Sequence, residues 1–376
     1  MNILFVHQNF PGQFRHLAPA LAGRGHRVVA LTDSSNAQAT EVTTFRYRHD
    51  VTRPEAAATR LGRTFTEMTD RATTVARAAA QLAGRHAFVP DVVFGHLGWG
   101  ETLFLREVFP AARHLVYAEF YYGARGRDSD FDPEFQRPGL ARAMSVTARK
   151  AHLALAMAEA DAALAPTRWQ ASTFPHEFAA KTTVCFDGVD TDRVRPDPAA
   201  RFTLPTGQVL APGDEVLTFV NRNFGPYRGF HVFMRALPAV LAARPEAQVV
   251  LVGGDGSSYE SPPAGGGSWR ERMLAELGDR LDLSRIHFVG RLAYDRYLAL
   301  LQVGRVHAYL TYPFVLSWSM IEAMAAGCCL VASRTPPVEE FLTDGVTGRL
   351  VDFFDVAGWS HALIAALADP GAAAPL

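Results

Sequence analysis

The stretch from Val306 to Ser333 constrains the fold more than any other part of this chain. A β-branched and aromatic run from Val306 to Thr311 is broken at Pro313, a short helical segment closes at Gly327, and the apolar run Cys328 to Ala332 follows. Strand, bend, helix and strand in that order read as one βαβ unit of a parallel sheet. The helix starts near Ser317, Trp318 and Ser319, so free backbone amides and a positive helix end are expected to face an anionic ligand above the strand tips. Glu322, in the first turns, is expected to accept two hydroxyls of a sugar ring. An ordinary buried βαβ unit with a surface glutamate would show the same spacing.

The rhythm recurs along the chain. Asn2 to His7 reads as a buried strand, Gln8 to Gln13 as a loop, Phe14 to Arg24 as an amphipathic helix ended by Gly25, and Arg27 to Thr32 as a second strand. This opening carries a lone Gly12 where a dinucleotide-binding fingerprint needs three glycines, which argues against a dehydrogenase. One glycine still lets the backbone approach a donor ligand at a helix start. Further strands are expected at Asp91 to Gly95, His114 to Ala118, Asp161 to Ala165 and Thr182 to Phe186. In the second half they fall at Glu215 to Val220, Gln248 to Gly253 and Arg285 to Val289, ahead of the unit at Val306. Between the halves the composition turns to Pro, Asp, Arg and Gly without periodicity. The expected fold class is α/β: two Rossmann-like doubly wound domains, 1–195 and 214–376, facing each other across a cleft and joined by a linker at 196–213.

Composition narrows the partners. With 376 residues, a formal net charge of −1 and 48% hydrophobic residues, the chain can build two cores and lacks the basic face that nucleic acid demands. Its cations are nearly all arginine, the only lysines being Lys150 and Lys181. Cys185, Cys328 and Cys329 form no disulfide framework and no metal spacing, and the adjacent pair is expected to pack as small apolar residues. No apolar run reaches the roughly 18 residues a membrane span needs, so the chain reads as cytosolic, without a transmembrane segment. No metal is expected: in the acidic segment Asp128 to Glu134, Pro133 stands where a calcium loop would want glycine, and the segment reads as a solvated loop.

Between Arg53 and His86, Leu61, Phe65, Met68, Ala72, Val75, Ala79 and Leu82 form a narrow apolar seam. It reads as a helix or helix pair laid against the first domain, with a homodimer contact through 53–86 as the alternative. The helical region 138–160 carries Arg142, Arg149 and Lys150, read as facing water rather than lipid, and Gly254 to Ser268 reads as a long loop.

Candidate site residues gather at strand ends, where open α/β sheets hold their ligands. In the first half these are His96 and Glu119, which fall at the ends of two strands, with Gln13 in the loop after the first strand and Tyr121 and Tyr122 directly after Glu119. In the second half Arg222 and Arg228 flank a strand end and are placed to hold a diphosphate.

Taken together, Gly25 to Thr32, Phe186 to Asp190, Arg222 with Arg228-Gly229, Phe288 to Arg291, Glu322 to Gly327 and Asp344 to Gly348 resemble the family 4 retaining glycosyltransferases over nearly the whole chain. The resemblance implies a GT-B fold and a nucleoside diphosphate sugar held by the second domain as co-substrate, with no cofactor and no metal. A small-molecule or glycan acceptor would be held by the first domain, where His96 and Glu119 would orient it or assist proton transfer and Gln13, Tyr121 and Tyr122 would bind it. By the same resemblance Arg222 and Arg228 take the diphosphate, Glu322 the ribose hydroxyls, and the backbone near Arg291 the base. Three positions depart from the pattern: Phe314 stands where the family usually has a first glutamate, separated from Glu322 by seven residues, the basic pair is one residue wider and ends in Arg228 rather than lysine, and Glu119-Phe120 replaces a common histidine. Family members also usually continue into a further helix, whereas this sequence ends at Leu376. The rebuilt sugar pocket leaves two alternatives, a nucleotide-sugar epimerase or hydrolase and a non-catalytic nucleotide-sugar-binding partner subunit.

Overall fold

Unbroken apolar runs such as Ile3 to Val6, Val28 to Leu31 and Val249 to Val252 become inner strands, because a parallel sheet covered on both faces needs apolar side chains at every position. The structure, a computed structural model, describes residues 1–49, 59–136, 138–369 and 371. It divides into two units, Met1–Gly188 and Val189–Leu376.

The first unit holds a seven-stranded parallel sheet, ordered β3-β2-β1-β4-β5-β6-β7. Its strands are β1 (Asn2–Val6), β2 (Arg27–Asp33), β3 (Thr43–Tyr47), β4 (Val92–His96), β5 (Arg113–Tyr117), β6 (Ala162–Ala165) and β7 (Thr182–Val184). Leu4 lies between Val29 and Val93 in register, so β1 is central and the strand order reverses beside it. The helix Arg63–His86 is a single helix, and Val75, Ala79 and Leu82 pack on Leu4, Val6, Val29 and Val93. Ala72 and the half-buried Met68 join a second cluster with Val116 and Met157, while Leu61 at the start is exposed. The seam is therefore spent largely inside its own domain and offers little apolar surface for the dimer considered above; residues 53–58 lie outside the described residues.

The second unit opens with an antiparallel hairpin, β8 (Phe202–Thr203) and β9 (Val209–Leu210), where a linker was expected. Phe202, Leu204 and Leu210 are buried against Val216, Val250 and Leu300, so the segment 196–213 belongs to the second core. Its Pro and Gly residues shape the turn rather than a free tether. The boundary accordingly falls at Gly188 and Val189, earlier than residue 195. A six-stranded parallel sheet follows, ordered β12-β11-β10-β13-β14-β15, from β10 (Val216–Asn223), β11 (Gln248–Gly254), β12 (Ile286–Gly290), β13 (Val306–Tyr309), β14 (Cys329–Ser333) and β15 (Arg349–Val351). Cys328 and Cys329 are buried there, and burial raises their thiols to about 12 and about 11. Both sheets are the doubly wound type, with ligand crevices expected where β1 meets β4 and where β10 meets β13.

The acidic segment departs from its solvated reading. Asp128 and Asp132 are fully buried, the Asp132 carboxylate accepting the Glu134 amide at 2.8 Å and Gln136 Nε2 donating to the Asp128 carbonyl at 2.7 Å. Ser129 Oγ also donates to Asp128 Oδ2 at 3.2 Å, so short-range bonds within the segment hold these side chains in an otherwise apolar region. No described helix is long and apolar enough to cross a membrane, and among the described residues no group of three or more His, Cys, Asp or Glu side chains is placed to hold a metal ion.

Candidate functional site

In the first unit the site begins where β1, β4 and β5 end. His96, the last residue of β4, is almost fully buried; its ring stacks at 5.4 Å on Tyr117 and 5.8 Å on Trp99. Its Nδ1 accepts the Gly98 amide at 3.0 Å, which assigns the ring proton to Nε2, and Nε2 faces Glu119 Oε2 at 3.5 Å. Gln13 Nε2 donates to Glu119 Oε1 at 3.0 Å, and Gln170 Nε2 fixes the Glu119 carbonyl at 2.7 Å. Burial pushes the Glu119 carboxyl up, but the His96 ring and the Gln13 amide outweigh it and hold it below the usual value. His96 and Glu119 are thus brought together as expected from their strand-end positions, with Gln13 as third member. The Glu119 side chain remains 29% exposed, so a hydroxyl-bearing ligand can reach it.

Gly12 supports this array. Its φ is +47°, and a Cβ there would stand 2.8 Å from His7 Cε1. His7 in turn lies edge-on to His96 at 5.4 Å. Gly12 therefore serves the histidine pair on the first unit. Tyr121 and Tyr122 are half-buried, packed on Phe174 and Phe120, and both line a cavity whose lining does not include Glu119.

Beneath His96, sequence reasoning missed a buried charge. Glu101 has no exposed surface and accepts the Tyr47 hydroxyl, its Oε2 has no hydrogen-bond partner among the described residues, and Arg71 donates to Gln8 nearby. Burial, only partly offset by Tyr47 and Arg71, raises its pKa to about 7. An acid with a raised folded-state pKa stabilises fully below the unfolded value and loses that contribution as pH rises through the folded one. Stability should thus fall by about 2 to 3 kcal/mol between about pH 4.5 and pH 7 on account of Glu101. Glu101→Gln is expected to flatten the slope in urea midpoints across that window; an unchanged slope would assign the pH dependence elsewhere.

In the second unit the site gathers at the ends of β10 and β13. Arg228 is 9% exposed, and its Nη1 donates to Thr311 Oγ1 at 2.7 Å, the Val315 carbonyl at 2.9 Å and the Tyr309 hydroxyl at 3.1 Å. One edge of the guanidinium is thereby locked to the loop after β13. Arg222, on β10, is exposed and makes no hydrogen bond or ion pair among the described residues. Arg291 donates to Asn223 Oδ1 at 3.0 Å, and Asn223 Nδ2 holds Ser258 Oγ at 2.8 Å, joining the strand end to the 255–268 loop.

The helix Trp318–Ala325 is less open than expected. Ser317 caps it, and its own amide is taken by the Tyr309 hydroxyl at 2.8 Å; the Ser319 amide reaches Ser317 Oγ at 3.4 Å. Trp318 is half-buried at the first helical position. Glu322 is buried, and its two oxygens accept the hydroxyls of Tyr294 and Tyr297, each at 2.9 Å. These tyrosines take the places assigned to sugar hydroxyls. Sequence spacing could not show either closure, because the partners stand 28, 25 and 8 residues away.

Phe314 is buried among Tyr227, Tyr259 and the Arg228 guanidinium, with ring centroids at 5.5 Å and 4.7 Å from the two tyrosines. Next to Tyr259 in the chain sits Glu260, also missed from sequence, whose Oε1 is buried with no hydrogen-bond partner among the described residues and whose carboxyl burial raises. It packs over Gly225: a Cβ on that glycine would stand 2.2 Å from Glu260 Oε1. A lone acid in a loop rich in Gly, Ser and Pro gave no signal of this placement.

Two doubly wound parallel-sheet domains, with their candidate groups at strand ends, define the GT-B class of glycosyltransferase folds. A family model described as glycosyl transferase family 4 group matches residues 24–194, and one described as glycosyl transferases group 1 matches residues 214–369. Between them they span most of the chain, which belongs to the family 4 glycosyltransferases. A D-inositol 3-phosphate glycosyltransferase of Rhodococcus jostii is 29% identical over 226 residues, 58% of this chain and 48% of that protein. A phosphatidyl-myo-inositol mannosyltransferase of Mycolicibacterium smegmatis is 31% identical over 151 residues, 40% of this chain and 36% of its own length. The chain thus spans about half or less of the curated relatives it matches. Among solved structures, sucrose-phosphate synthase of Thermosynechococcus elongatus aligns with a TM-score of 0.72 at 19% identity, covering 99% of this chain and 91% of that one. Anabaena HepE in complex with UDP and glucose aligns at 0.66 and 16%, with the same coverage.

Proposed function

We propose that the chain transfers a sugar from a nucleoside diphosphate sugar, with a UDP-sugar or GDP-sugar as donor, to a hydroxyl of a small-molecule or glycan acceptor with retention of anomeric configuration. The observation that carries this reading is the pairing of a buried, locked Arg228 with an exposed, uncommitted Arg222 at the strand-end switch point of the second unit. The likeness to a structure holding UDP and glucose, and to relatives named for inositol-phosphate and phosphoinositide glycosylation, supports it.

In the proposed reaction the bond from the anomeric carbon to the leaving phosphate oxygen breaks, and a bond to the acceptor oxygen forms on the same face. The two arginines stabilise the charge that develops on the diphosphate, a preorganised electrostatic effect that needs no metal and no cofactor beyond the co-substrate. The acceptor proton passes to the leaving phosphate oxygen. His96 and Glu119 orient the acceptor hydroxyl, their mutual geometry fixed by Gln13 and the Gly98 amide. The exposed free thiol of Cys185 fits a reducing compartment, and we place the reaction in the cytoplasm.

Glu119→Gln tests the acceptor half. It is expected to lower kcat/KM for the acceptor by about tenfold to a hundredfold while donor affinity stays unchanged. Unchanged turnover together with unchanged acceptor affinity would remove Glu119 from the mechanism.

A further inference from the structure

The loop 255–268 of the second unit carries two acids, Asp255 and Glu260, and they are held differently. Asp255 is paired with Arg270 at 2.8 Å. Glu260 takes part in no ion pair among the described residues, and its Oε1 is buried with no hydrogen-bond partner among them. Burial raises its carboxyl, and the backbone amides of residues 258–260 and the nearby Arg228 charge only partly offset that. An acid held in this way is unfavourable to the loop that carries it.

Its position gives the acid a meaning. A Cβ on Gly225 would overlap Glu260 Oε1 and the carboxyl carbon behind it. Gly225 has a φ of −177°, open to any residue, so its missing side chain provides space rather than conformation. It stands just after β10, ahead of the turn Pro226–Arg228, where an open parallel sheet lets backbone and an anionic ligand approach each other. The space that this glycine leaves is filled by a carboxylate of the chain itself, close to Arg228.

The loop is fastened at few points. Asn223 Nδ2 donates to Ser258 Oγ at 2.8 Å and to the Ser257 carbonyl at 3.3 Å, and Trp269 Nε1 donates to the Ser261 carbonyl at 3.2 Å. The Tyr259 ring lies 4.7 Å from Phe314 and 5.9 Å from Tyr227, yet is 40% exposed. Gly265, Gly266 and Gly267 follow with φ of +96°, +87° and +74°. At the first two a Cβ would meet nothing within 4 Å, so glycine there serves backbone freedom rather than packing. These glycines end at Ser268, which caps the helix Trp269–Leu277.

We propose that Glu260 is an internal anion that occupies the diphosphate side of Gly225 and Arg228 in the free chain, and that the donor displaces it by swinging the loop away about Gly265 to Gly267. The inference rests on the reading of Arg228 as a diphosphate ligand, and adds to it a residue that limits donor affinity. Displacement returns the carboxyl to water and removes a negative charge from beside the phosphates, so both changes favour the bound state.

UDP, GDP and ADP are titrated calorimetrically into the full wild-type chain, into Glu260→Gln, and into Asp279→Asn, which removes an equal charge from an exposed position of the same unit. The nucleotide that binds is expected to bind Glu260→Gln about tenfold more tightly than wild type, and Asp279→Asn as wild type. Hydrogen exchange of the wild-type amides in 255–268 is expected to rise when that nucleotide saturates the chain, opposite to a loop that closes on its ligand. Equal or weaker affinity in Glu260→Gln, an equal gain in the control, or exchange that falls on binding overturns the proposal. A nucleotide that binds all three chains alike removes this inference alone; binding by none removes the diphosphate reading and this inference with it.

Discussion

Replacing Arg228 by methionine is expected to lower affinity for nucleoside diphosphates about a hundredfold, and to destabilise the second unit at the same time. The stem volume is roughly kept, but Thr311 Oγ1, the Val315 carbonyl and the Tyr309 hydroxyl lose a shared cationic donor. Each buried group left unpaired costs about 1 to 3 kcal/mol, so a drop of several kcal/mol in unfolding free energy is expected alongside the affinity loss. Arg222→Gln separates the two effects. Arg222 is exposed and unbonded, so its removal should cost about tenfold in diphosphate affinity and leave stability within about 0.5 kcal/mol of wild type. Calorimetric titration with nucleoside diphosphates and urea unfolding of both variants check this. Full affinity in Arg222→Gln would show that the exposed arginine does not meet the phosphates.

Gly229→Ala is expected to cost about 2 to 5 kcal/mol. Gly229 sits at φ +65°, where an L side chain pays about 1 to 2 kcal/mol, and a Cβ would stand 2.3 Å from Leu310 Cβ. Neither backbone can retreat easily: Gly229 begins the buried helix Phe230–Ala243, and Leu310 follows β13 directly. Overpacking of that kind adds about 1 to 3 kcal/mol. The double variant with Leu310→Gly, which removes the Cβ that the new side chain would meet, should recover the steric part and not the conformational part, a coupling that a double-mutant cycle in urea measures. Additive losses would mean that the close approach is not what the glycine protects.

Much of the sheet architecture was legible because inner strands must be apolar throughout, and runs such as Asn2 to Val6 and Cys329 to Ser333 carry that pattern within a few residues. Two of the four edge strands, β3 and β15, were not. β3 reads Thr-Thr-Phe-Arg-Tyr with exposed Thr43 and Arg46, and β15 has only three residues, so neither shows a buried period. The hairpin at β8 and β9 hid within Pro- and Gly-rich sequence because its burial depends on a few large side chains, Phe202, Leu204 and Leu210. In the site, Arg222, Arg228, His96 and Glu119 were visible from their position after strands alone. What stayed invisible were the partners: the tyrosines that occupy Glu322, the hydroxyl that closes the Ser317 amide, and the buried acids Glu101 and Glu260. Those contacts are tertiary, set by helix and loop packing rather than by spacing along one element.

The two missed acids bear on the chemistry differently. Glu101 lies under the His96 and Glu119 pair and couples stability to pH near neutrality. Glu260 places an oxygen with no hydrogen-bond partner among the described residues close to Arg228 and to Tyr259, whose ring packs on Phe314.

The central claim is that the second unit binds a nucleoside diphosphate sugar, and calorimetric titration of the folded full chain against a panel of nucleoside diphosphates and their sugars tests it most directly. The account predicts saturable binding with a preference for one base, weakened in Glu322→Ala and in Arg228→Met. A folded chain that binds no member of the panel would contradict it.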